Sequence, residues 1–515
     1  MVNTKKINLN GFSATQLLKS IDSGEITSRQ ATQYFIDEIE RVNPAINAVV
    51  IKLYEAALKQ ADHADELFRL GRRTGKLHGL PFTIKECLDF AGTPSTLGVP
   101  RRKQDIRTNT DPYIHALQEE GGIILGKTNV AQLLSYFECN NPVYGTTNNP
   151  HSSRHTSGGS SGGEGAVVGA AASPVGIGTD IGGSVRIPAA FCGTCSIKPT
   201  MGRTVDATRF IDRPIQLSIN SVVGVLANYA EDLQLFLDIL NKAAGEQRTV
   251  MPLQSYRNVD VTRLKVGYLL SDGLFEPMGA VKRAVLESVE KLKSLGVQVI
   301  EFEPPSLAEA EEIFLSILLA DNGPLFTENL QNEKPVPQIA ATVKLGKLPP
   351  FIRTIIKGML NVLGQKSLAR TMPYLEGKGE AFLKRMEQRQ IDFTREYLRA
   401  MDNTAIGKLD AILSPVCATP AFLHRTADKV GLGGAYTIQY NVTGFPAGVA
   451  TVSKVRKDEA VGRKATVDMA MKTASKIESS SVGLPIGVQI AARPWEEHVV
   501  IALIEKLHSK ENTKS

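Results

Sequence analysis

The chain has 515 residues, with 59 lysine or arginine and 53 aspartate or glutamate residues, which leaves a net charge of +6. So small a charge on a chain of this length does not indicate a nucleic-acid-binding protein. The sequence contains no run of about 18 uninterrupted apolar residues, so we expect no membrane-spanning helix. Its five cysteines are an odd number, as expected of free thiols in a reducing compartment. The N-terminal segment is polar, so we expect neither a signal peptide nor a membrane anchor, and we therefore expect a cytoplasmic protein.

Helical and strand patterns alternate along the chain. The first strong pattern, residues 13–42, repeats apolar residues at helical spacing. Short apolar runs typical of buried strands follow at residues 80–84, 123–129, 264–270, 297–303 and 409–415. This alternation predicts an α/β layer architecture. Length alone is compatible with about three domains, but no linker or repeat divides the sequence, so we expect a single domain over residues 1–515.

One lysine stands at the end of a predicted buried strand. Lys85 directly follows the apolar run at residues 81–84. Burial favours the neutral amine over the ammonium ion, and a neutral amine can accept a proton from a serine hydroxyl. The residues alone leave a second interpretation open, in which Glu86, Asp89 or helix carbonyl groups balance the charge of a structural lysine.

Two serines in the stretch 156–200, Ser160 and Ser184, each come directly after a Gly-Gly pair. Glycine reaches backbone conformations that other residues adopt only at a cost, so it can turn main-chain N–H groups into a cavity. Such groups stabilise an oxyanion, and a serine beside them is a candidate nucleophile. The nearby His151 and His155 lie in a polar run that predicts a solvated loop, so neither is the expected base.

Two other interpretations of this stretch are weaker. A phosphate-binding loop ends in Gly-Lys-Ser/Thr, whereas here the following helix begins with Glu164, an acid at the place where an anion would bind. Cys192 and Cys195 have the spacing of half a zinc or redox site, but no second Cys or His pair completes it. We therefore expect two buried thiols and no metal site.

Several runs together resemble the amidase signature family of serine hydrolases. They are residues 85–98, 135–150, 158–166, 179–200, 440–452 and 481–497. The resemblance implies the family's α/β fold, a large mixed β-sheet core surrounded by α-helices. It also implies hydrolysis of carboxylic amide bonds without a metal or an organic cofactor. The glycosylation motif at residues 441–443 is then expected to be buried beside the site.

The resemblance assigns roles to individual residues. Ser184 is the implied nucleophile, Ser160 is the bridging serine after a cis Gly159–Ser160 peptide bond, and Lys85 is the base. The backbone N–H groups implied to hold the oxyanion belong to Ile181, Gly182, Gly183 and Ser184. The residues implied to approach the substrate are Leu134, Tyr136, Phe137 and Thr179.

A basic, apolar segment at residues 334–375, here called the cap segment, gives an indication of the substrate. It contains no acidic residue, and its repeated positive charges are Lys344, Lys347, Arg353, Lys357, Lys366 and Arg370. Its apolar residues at helical spacing are Ile352, Ile355, Ile356, Met359, Leu360 and Leu363. Such a helix can lie in a membrane interface, and the segment matches in position the membrane-inserting cap of the family members that hydrolyse fatty acid amides. Packing on the core, or on a second subunit in a homodimer, stays open.

The resemblance thus favours a hydrolase of fatty acid amides. Its expected partners are a small lipid amide and a membrane surface contacted through residues 344–370, with no nucleic acid. The enzymatic alternatives are an amidase for small or aryl amides and a glutaminase subunit of an amidotransferase, which needs no apolar cap. The non-enzymatic alternative is a membrane-binding module with an inactive site, and the intact Lys85, Ser160 and Ser184 disfavour it.

Overall fold

Eleven strands form one mixed β-sheet in the computed structural model, which describes residues 8–205, 218–247, 249–319, 328–346, 348–371 and 379–509. The strands, including four short ones outside this sheet, are β1 Val49–Lys52, β2 Pro81–Lys85, β3 Ile123–Thr128, β4 Asn140–Asn141, β5 Gly145–Thr146, β6 Asn148–Asn149, β7 Ser152–Thr156, β8 Val175–Asp180, β9 Cys195–Lys198, β10 Val222–Ala227, β11 Lys265–Tyr268, β12 Gln298–Glu301, β13 Ala411–Pro415, β14 Ala447–Lys454 and β15 Pro485–Ala492. The order across the large sheet is β1-β3-β2-β8-β10-β9-β14-β15-β13-β11-β12, and the pairs β4 with β5 and β6 with β7 form two small sheets.

Helices lie around this sheet and in the cap segment. They are α1 Ala14–Asp22, α2 Ser28–Ile46, α3 Tyr54–Arg69, α4 Pro112–Glu119, α5 Gly162–Gly169, α6 Arg186–Cys192, α7 Ala230–Gln247, α8 Gly279–Ser294, α9 Leu307–Leu318, α10 Pro337–Gly346, α11 Pro350–Val362, α12 Lys366–Thr371, α13 Glu380–Asp402, α14 Ala427–Val430, α15 Gln439–Val442, α16 Met469–Ser479 and α17 Glu497–Leu507. The helical pattern predicted at residues 13–42 forms two helices, because Gly24 has a positive φ and Thr27 begins α2 with a capping box to Gln30. The α/β architecture predicted from the sequence is confirmed.

Three parallel strands, β2, β3 and β8, end in polar residues at one edge of the sheet. The five apolar runs form β2, β3, β11, β12 and β13, as predicted. Because β2 pairs in parallel with both β3 and β8, the carboxyl ends of three strands meet at the same edge. Lys85 ends β2 and Asp180 ends β8. The register pairs Lys85 with Thr128 on β3 and Thr83 with Gly176 on β8.

An aromatic cluster joins α13 to the chain around α15. Tyr397 on α13 is completely buried. Its ring centre lies 5.5 Å from that of Phe445 and 6.4 Å from that of Tyr440, both in edge-on contacts. Such contacts contribute about 0.5–1.5 kcal/mol each beyond the burial of the rings. The cluster therefore fixes residues 437–445, which contact the second glycine-rich loop.

The cap segment contains α10, α11 and α12, and the predicted helix is confirmed as α11. Residues 347 and 372–375 of the predicted cap lie outside the described residues. The apolar side chains on the outward face of α11 and at the residue that caps it are between 58% and 89% exposed, and they are Phe351, Ile355, Met359, Val362 and Leu363. None of the helices in the described ranges has the length and hydropathy of a transmembrane segment.

Candidate active site

Lys85 is completely buried at the carboxyl end of β2, as predicted. Its Nζ donates hydrogen bonds to Ser160 Oγ at 2.8 Å, to Thr179 Oγ1 at 2.8 Å and to the Thr179 carbonyl oxygen at 3.3 Å. The Glu86 carboxylate accepts backbone N–H groups of residues 96 and 97, and Asp89 pairs with an arginine at 2.9 Å. The structure thus joins the predicted base directly to one of the two predicted serines.

Ser160 follows a cis peptide bond with Gly159, which confirms the predicted cis bond. A side chain at Gly159 would overlap the backbone of residues 136–138, so glycine is required there. The next residue, Ser161, donates its backbone N–H to the Ser184 carbonyl oxygen at 3.1 Å. This bond holds the two glycine-rich loops side by side.

Ser184 lies beside the Ser160 loop without a bond between the two hydroxyl groups. Among the hydrogen bonds of the described residues, the Lys85–Ser160 bond is present, whereas a bond between the Ser160 and Ser184 side chains is not. Ser184 is 6% exposed and Ser160 is 1% exposed. Ser184 is therefore the more accessible of the two serines.

The backbone of residues 181–184 carries the predicted oxyanion donors. Gly183 has a φ of +123°, and a side chain there would overlap the Thr437 hydroxyl. Asp180 Oδ1 accepts the Gly183 N–H at 2.8 Å, so this donor is directed at a carboxylate. The other predicted donors are the N–H groups of Ile181, Gly182 and Ser184. Within the described part of the chain they donate no hydrogen bond.

Asp180 and Arg186 form a completely buried ion pair behind this loop. Arg186 Nη2 lies 2.9 Å from Asp180 Oδ1, and Nε lies 3.0 Å from Oδ2, which is a bidentate pairing. Arg186 also donates to the Thr437 carbonyl oxygen at 2.9 Å, to Gln489 Oε1 at 2.7 Å and to Asn441 Oδ1 at 2.6 Å. Burial alone would raise the pKa of Asp180, but the charge and hydrogen bonds of Arg186 hold that pKa well below its usual range. The ionised pair fixes the loop that carries Ser184.

Replacing Arg186 with glutamine is expected to lower the free energy of unfolding by about 3–5 kcal/mol, because the Asp180 carboxylate then stays buried without its cation. Urea unfolding followed by circular dichroism measures this change. Arg395→Gln is the matched control, since Arg395 pairs with Asp392 on the surface, where the side chains are 63% and 42% exposed. Its loss should cost less than about 1 kcal/mol. Equal unfolding midpoints for the two variants would contradict the importance of the buried pair.

The four predicted substrate residues lie in two places. Thr179 is buried beside Lys85, and its hydroxyl accepts a hydrogen bond from the lysine. Tyr136 is buried and donates its hydroxyl to a carbonyl oxygen of its own loop at 2.5 Å. Leu134 and Phe137 are half-buried. Of the four side chains, those of Leu134 and Phe137 are therefore the more accessible.

Sequence reasoning missed the residues that hold the loop carrying Ser184, which are Asp180, Arg186, Thr437, Asn441 and Gln489. A signal was present, because Asp180, Arg186, Asn441 and Gln489 are polar residues inside the runs that carry the family resemblance. Only the fold joins them: Asn441 lies 261 positions from Asp180 and donates to its Oδ1 at 3.1 Å. Asn441 is buried, which confirms the expectation for the glycosylation motif.

The solvated loop predicted around the two nearby histidines is wrong for His155. This residue lies on β7, is 1% exposed and hydrogen-bonds to two serine hydroxyls. Burial lowers the pKa of His155 to about 4. Cys192 and Cys195 are free buried thiols, as predicted. Over the described residues, no group of three or more His, Cys, Asp or Glu side chains is arranged to hold a metal ion.

Known proteins resemble this chain in sequence and in fold. The family model described as Amidase matches residues 30–501. Fatty acid amide hydrolase 1 of Caenorhabditis elegans is 32% identical over 512 residues, which cover 96% of this chain and 87% of the relative. Fatty-acid amide hydrolase 1 of Sus scrofa is 31% identical over 507 residues, which cover 96% and 84%. A solved structure of fatty acid amide hydrolase has a TM-score of 0.82 at 23% identity, covering 100% of this chain and 88% of that one, and it shows the same fold.

Proposed function

The chain belongs to the amidase signature family and is an amide-hydrolysing enzyme, and we propose that it cleaves fatty acid amides. The proposed substrates are primary fatty amides and N-acylethanolamines, which are split into a free fatty acid and an amine. The observation that carries this proposal is similarity along almost the whole chain to two animal fatty acid amide hydrolases. The proposed catalytic unit is one domain over residues 1–515, located in the cytoplasm and peripheral on a membrane.

The proposed reaction uses Lys85, Ser160 and Ser184 in series. Neutral Lys85 accepts the Ser160 proton while Ser160 accepts the Ser184 proton, and Ser184 Oγ attacks the amide carbonyl carbon. The 2.8 Å distance between Lys85 Nζ and Ser160 Oγ supports the first transfer. The second transfer requires the Ser184 side chain to turn toward Ser160 when substrate binds, since catalytic hydrogen bonds tighten in the substrate complex.

The tetrahedral intermediate carries a negative charge on the former carbonyl oxygen. The N–H groups of Ile181, Gly182 and Ser184 are the proposed donors to this oxygen, and one such donor is typically worth about 3–4 kcal/mol in the transition state. The Gly183 N–H, held by Asp180, sets the path of the loop.

Collapse of the intermediate returns the proton through Ser160 to the leaving nitrogen. The C–N bond then breaks, the amine departs and the acyl group stays on Ser184 Oγ. Water gives up a proton to the same relay, attacks the acyl carbon and releases the fatty acid. Early protonation of the nitrogen matters because an unprotonated amine is a poor leaving group.

The cap segment supports contact with a membrane surface. The five exposed apolar side chains of residues 351–363 continue onto Val467 and Met469, which are 63% and 47% exposed. Gln365 holds these two residues at the end of α11, since its Nε2 donates to the Val467 carbonyl oxygen at 2.8 Å and its Oε1 accepts the Met469 N–H at 2.9 Å. An apolar surface of this kind inserts favourably into a lipid interface.

The accessible charges and apolar residues of the cap differ from the sequence pattern. Arg353 is buried and Arg370 pairs with Glu311 at 3.0 Å, so these two cations do not belong to a free basic surface. Lys344 and Lys366 are exposed. Three of the six predicted apolar positions are only half-exposed, and they are Ile352, Ile356 and Leu360. The outward face therefore includes the other three predicted positions, Ile355, Met359 and Leu363, together with Phe351 and Val362.

A substrate panel and a cap variant test the proposal together. The wild type should hydrolyse oleamide and N-acylethanolamines faster than acetamide, and it should sediment with anionic vesicles less at high salt. Combining Phe351→Ser, Ile355→Ser and Met359→Ser removes three outward side chains. Vesicle binding and turnover of oleamide should fall by about tenfold or more, since a loss of 1.4 kcal/mol is already tenfold. Acetamide hydrolysis should stay at the wild-type rate.

The matched control removes three exposed apolar side chains elsewhere, by Leu70→Ser, Ile391→Ser and Val482→Ser, which are 64%, 47% and 52% exposed. It should keep both vesicle binding and oleamide turnover. If the cap variant instead loses acetamide hydrolysis and thermal stability, α11 packs in the core or at a subunit interface. A wild type that prefers acetamide or aryl amides to oleamide would place the enzyme in another branch of the family.

A further inference from the structure

Glu164 is a completely buried acid in the first turn of α5, close to the cis peptide bond. Its Oε2 accepts the Thr83 hydroxyl at 2.7 Å, and its Oε1 accepts the Thr128 hydroxyl at 2.8 Å. Both partners are neutral groups. The carboxyl is therefore oriented by two strands of the sheet at once.

The strand register places this carboxyl on the same face of the sheet as the Lys85 side chain. Thr128 on β3 lies directly opposite Lys85, and Thr83 lies two positions before Lys85 on the same face of β2. Gly176 on β8 is opposite Thr83, and a side chain there would overlap the Glu164 carboxyl. The sheet thus leaves a space for one acid beside the proposed base.

Lys85 is the charged neighbour to which Glu164 responds. Burial raises the pKa of Glu164 to about 8, while the two threonine hydroxyls and the Lys85 charge act to lower that pKa. The buried titratable groups on the other elements around α5 have partners or are neutral. They are Asp180 on β8, paired with Arg186 on α6, Lys127 on β3, bonded to residues 93–95, and the Cys139 and Cys192 thiols, whose pKa values burial raises. On α2 and β10 no titratable side chain among the described residues is buried.

We propose that Glu164 is a positioning residue for Lys85. By gaining or losing a proton, the Glu164 carboxyl sets the pH at which the Lys85 amine can accept the proton of Ser160. The inference rests on the proposed function, in which Lys85 is the base. A protonated carboxyl allows the neighbouring amine to be neutral and to accept a proton. A carboxylate at the same place stabilises the ammonium ion and withdraws the base.

Glu164→Gln tests this role, because the amide keeps the size of the carboxyl but cannot ionise. The measurement is the rate of labelling by a fluorophosphonate as a function of pH. In the wild type the rate should rise with pH as Lys85 becomes neutral, and in the variant the midpoint of this rise should fall by about one pH unit. A midpoint equal to that of the wild type overturns the proposal.

Infrared difference spectroscopy reads the carboxyl itself and does not depend on activity. The C=O stretching band of protonated Glu164 should disappear near pH 8 in the wild type. In Lys85→Met the band should persist to higher pH, because the charge that favours the carboxylate is gone. Thr128→Val removes a hydroxyl donor and keeps the side-chain shape, and it should also raise the pH at which the band disappears. Equal midpoints in the wild type and Lys85→Met overturn the proposal, even if Glu164→Gln does not fold.

Lys85→Ala separates a failure of this inference from a failure of the proposed function. The variant should lose the rise of labelling with pH. If it keeps the wild-type rise, Lys85 is not the base and the proposed function is wrong. If it loses the rise while Glu164→Gln keeps the wild-type midpoint, only the role of Glu164 is wrong.

Discussion

Ser184→Ala is expected to abolish amide hydrolysis, lowering kcat on the order of 10⁶-fold, because it removes the oxygen that is acylated in the proposed reaction. Labelling by a fluorophosphonate should disappear in the same variant. The Ser184 side chain makes no hydrogen bond among the described residues, so thermal stability should change little. Rates of oleamide and acetamide hydrolysis, together with mass spectrometry of the labelled protein, measure these outcomes.

Ser157→Ala is the matched control for this experiment. Ser157 is a buried serine of the same stretch whose hydroxyl has no hydrogen-bond partner among the described residues. Its replacement should keep both hydrolysis and labelling. Peptide mapping of the wild type should find the label on Ser184, and a label on Ser160 or Ser161 would reverse the proposed roles.

Lys85→Ala is expected to slow amide hydrolysis far more than ester hydrolysis. General-base catalysis contributes about 10²–10⁴-fold, and we expect the amide to lose the upper part of this range. An alkoxide leaves without prior protonation, whereas an amine must receive a proton, and the proposed relay delivers that proton from Lys85 through Ser160. An ester with the same acyl chain should therefore lose at least about tenfold less than the amide.

Matched oleoyl amide and ester substrates measure this difference, with single-turnover acylation followed across pH. The wild-type acylation rate should rise with pH, and the variant should lose this rise. Equal losses on amide and ester would mean that Lys85 has a structural role at the end of β2. Thermal unfolding of the variant, compared with that of the wild type, distinguishes this outcome from simple loss of the fold.

Local sequence patterns were sufficient for much of the architecture. The apolar runs that form β2, β3 and β13 were recognised because a buried strand needs apolar residues in a short continuous stretch. Burial of Lys85 followed from its place at the end of such a run. The cis bond at Ser160 came from the family resemblance instead, since no local pattern of residues predicts it.

Burial of isolated polar residues could not be predicted in the same way. His155 lies in a polar run, yet strand β7 places it inside the protein. On α11, helical spacing identified the apolar positions but not which of them face outward. Ile352 is half-buried and Phe351 is 66% exposed, although they are adjacent in sequence. Which side of α11 packs against the rest of the protein decides this difference.

The sequence by itself determined the identity of the chemical groups, the strands that carry them and the glycines that allow the two loops to approach each other. The tertiary structure alone decided which distant side chains act on those groups. Arg186 meets Gln489 and Asn441 from 303 and 255 positions away, and Glu164 reaches Thr83 from 81 positions away. Apolar periodicity depends on near neighbours in the chain, whereas a buried charge is stabilised by whichever groups the fold brings within hydrogen-bonding distance.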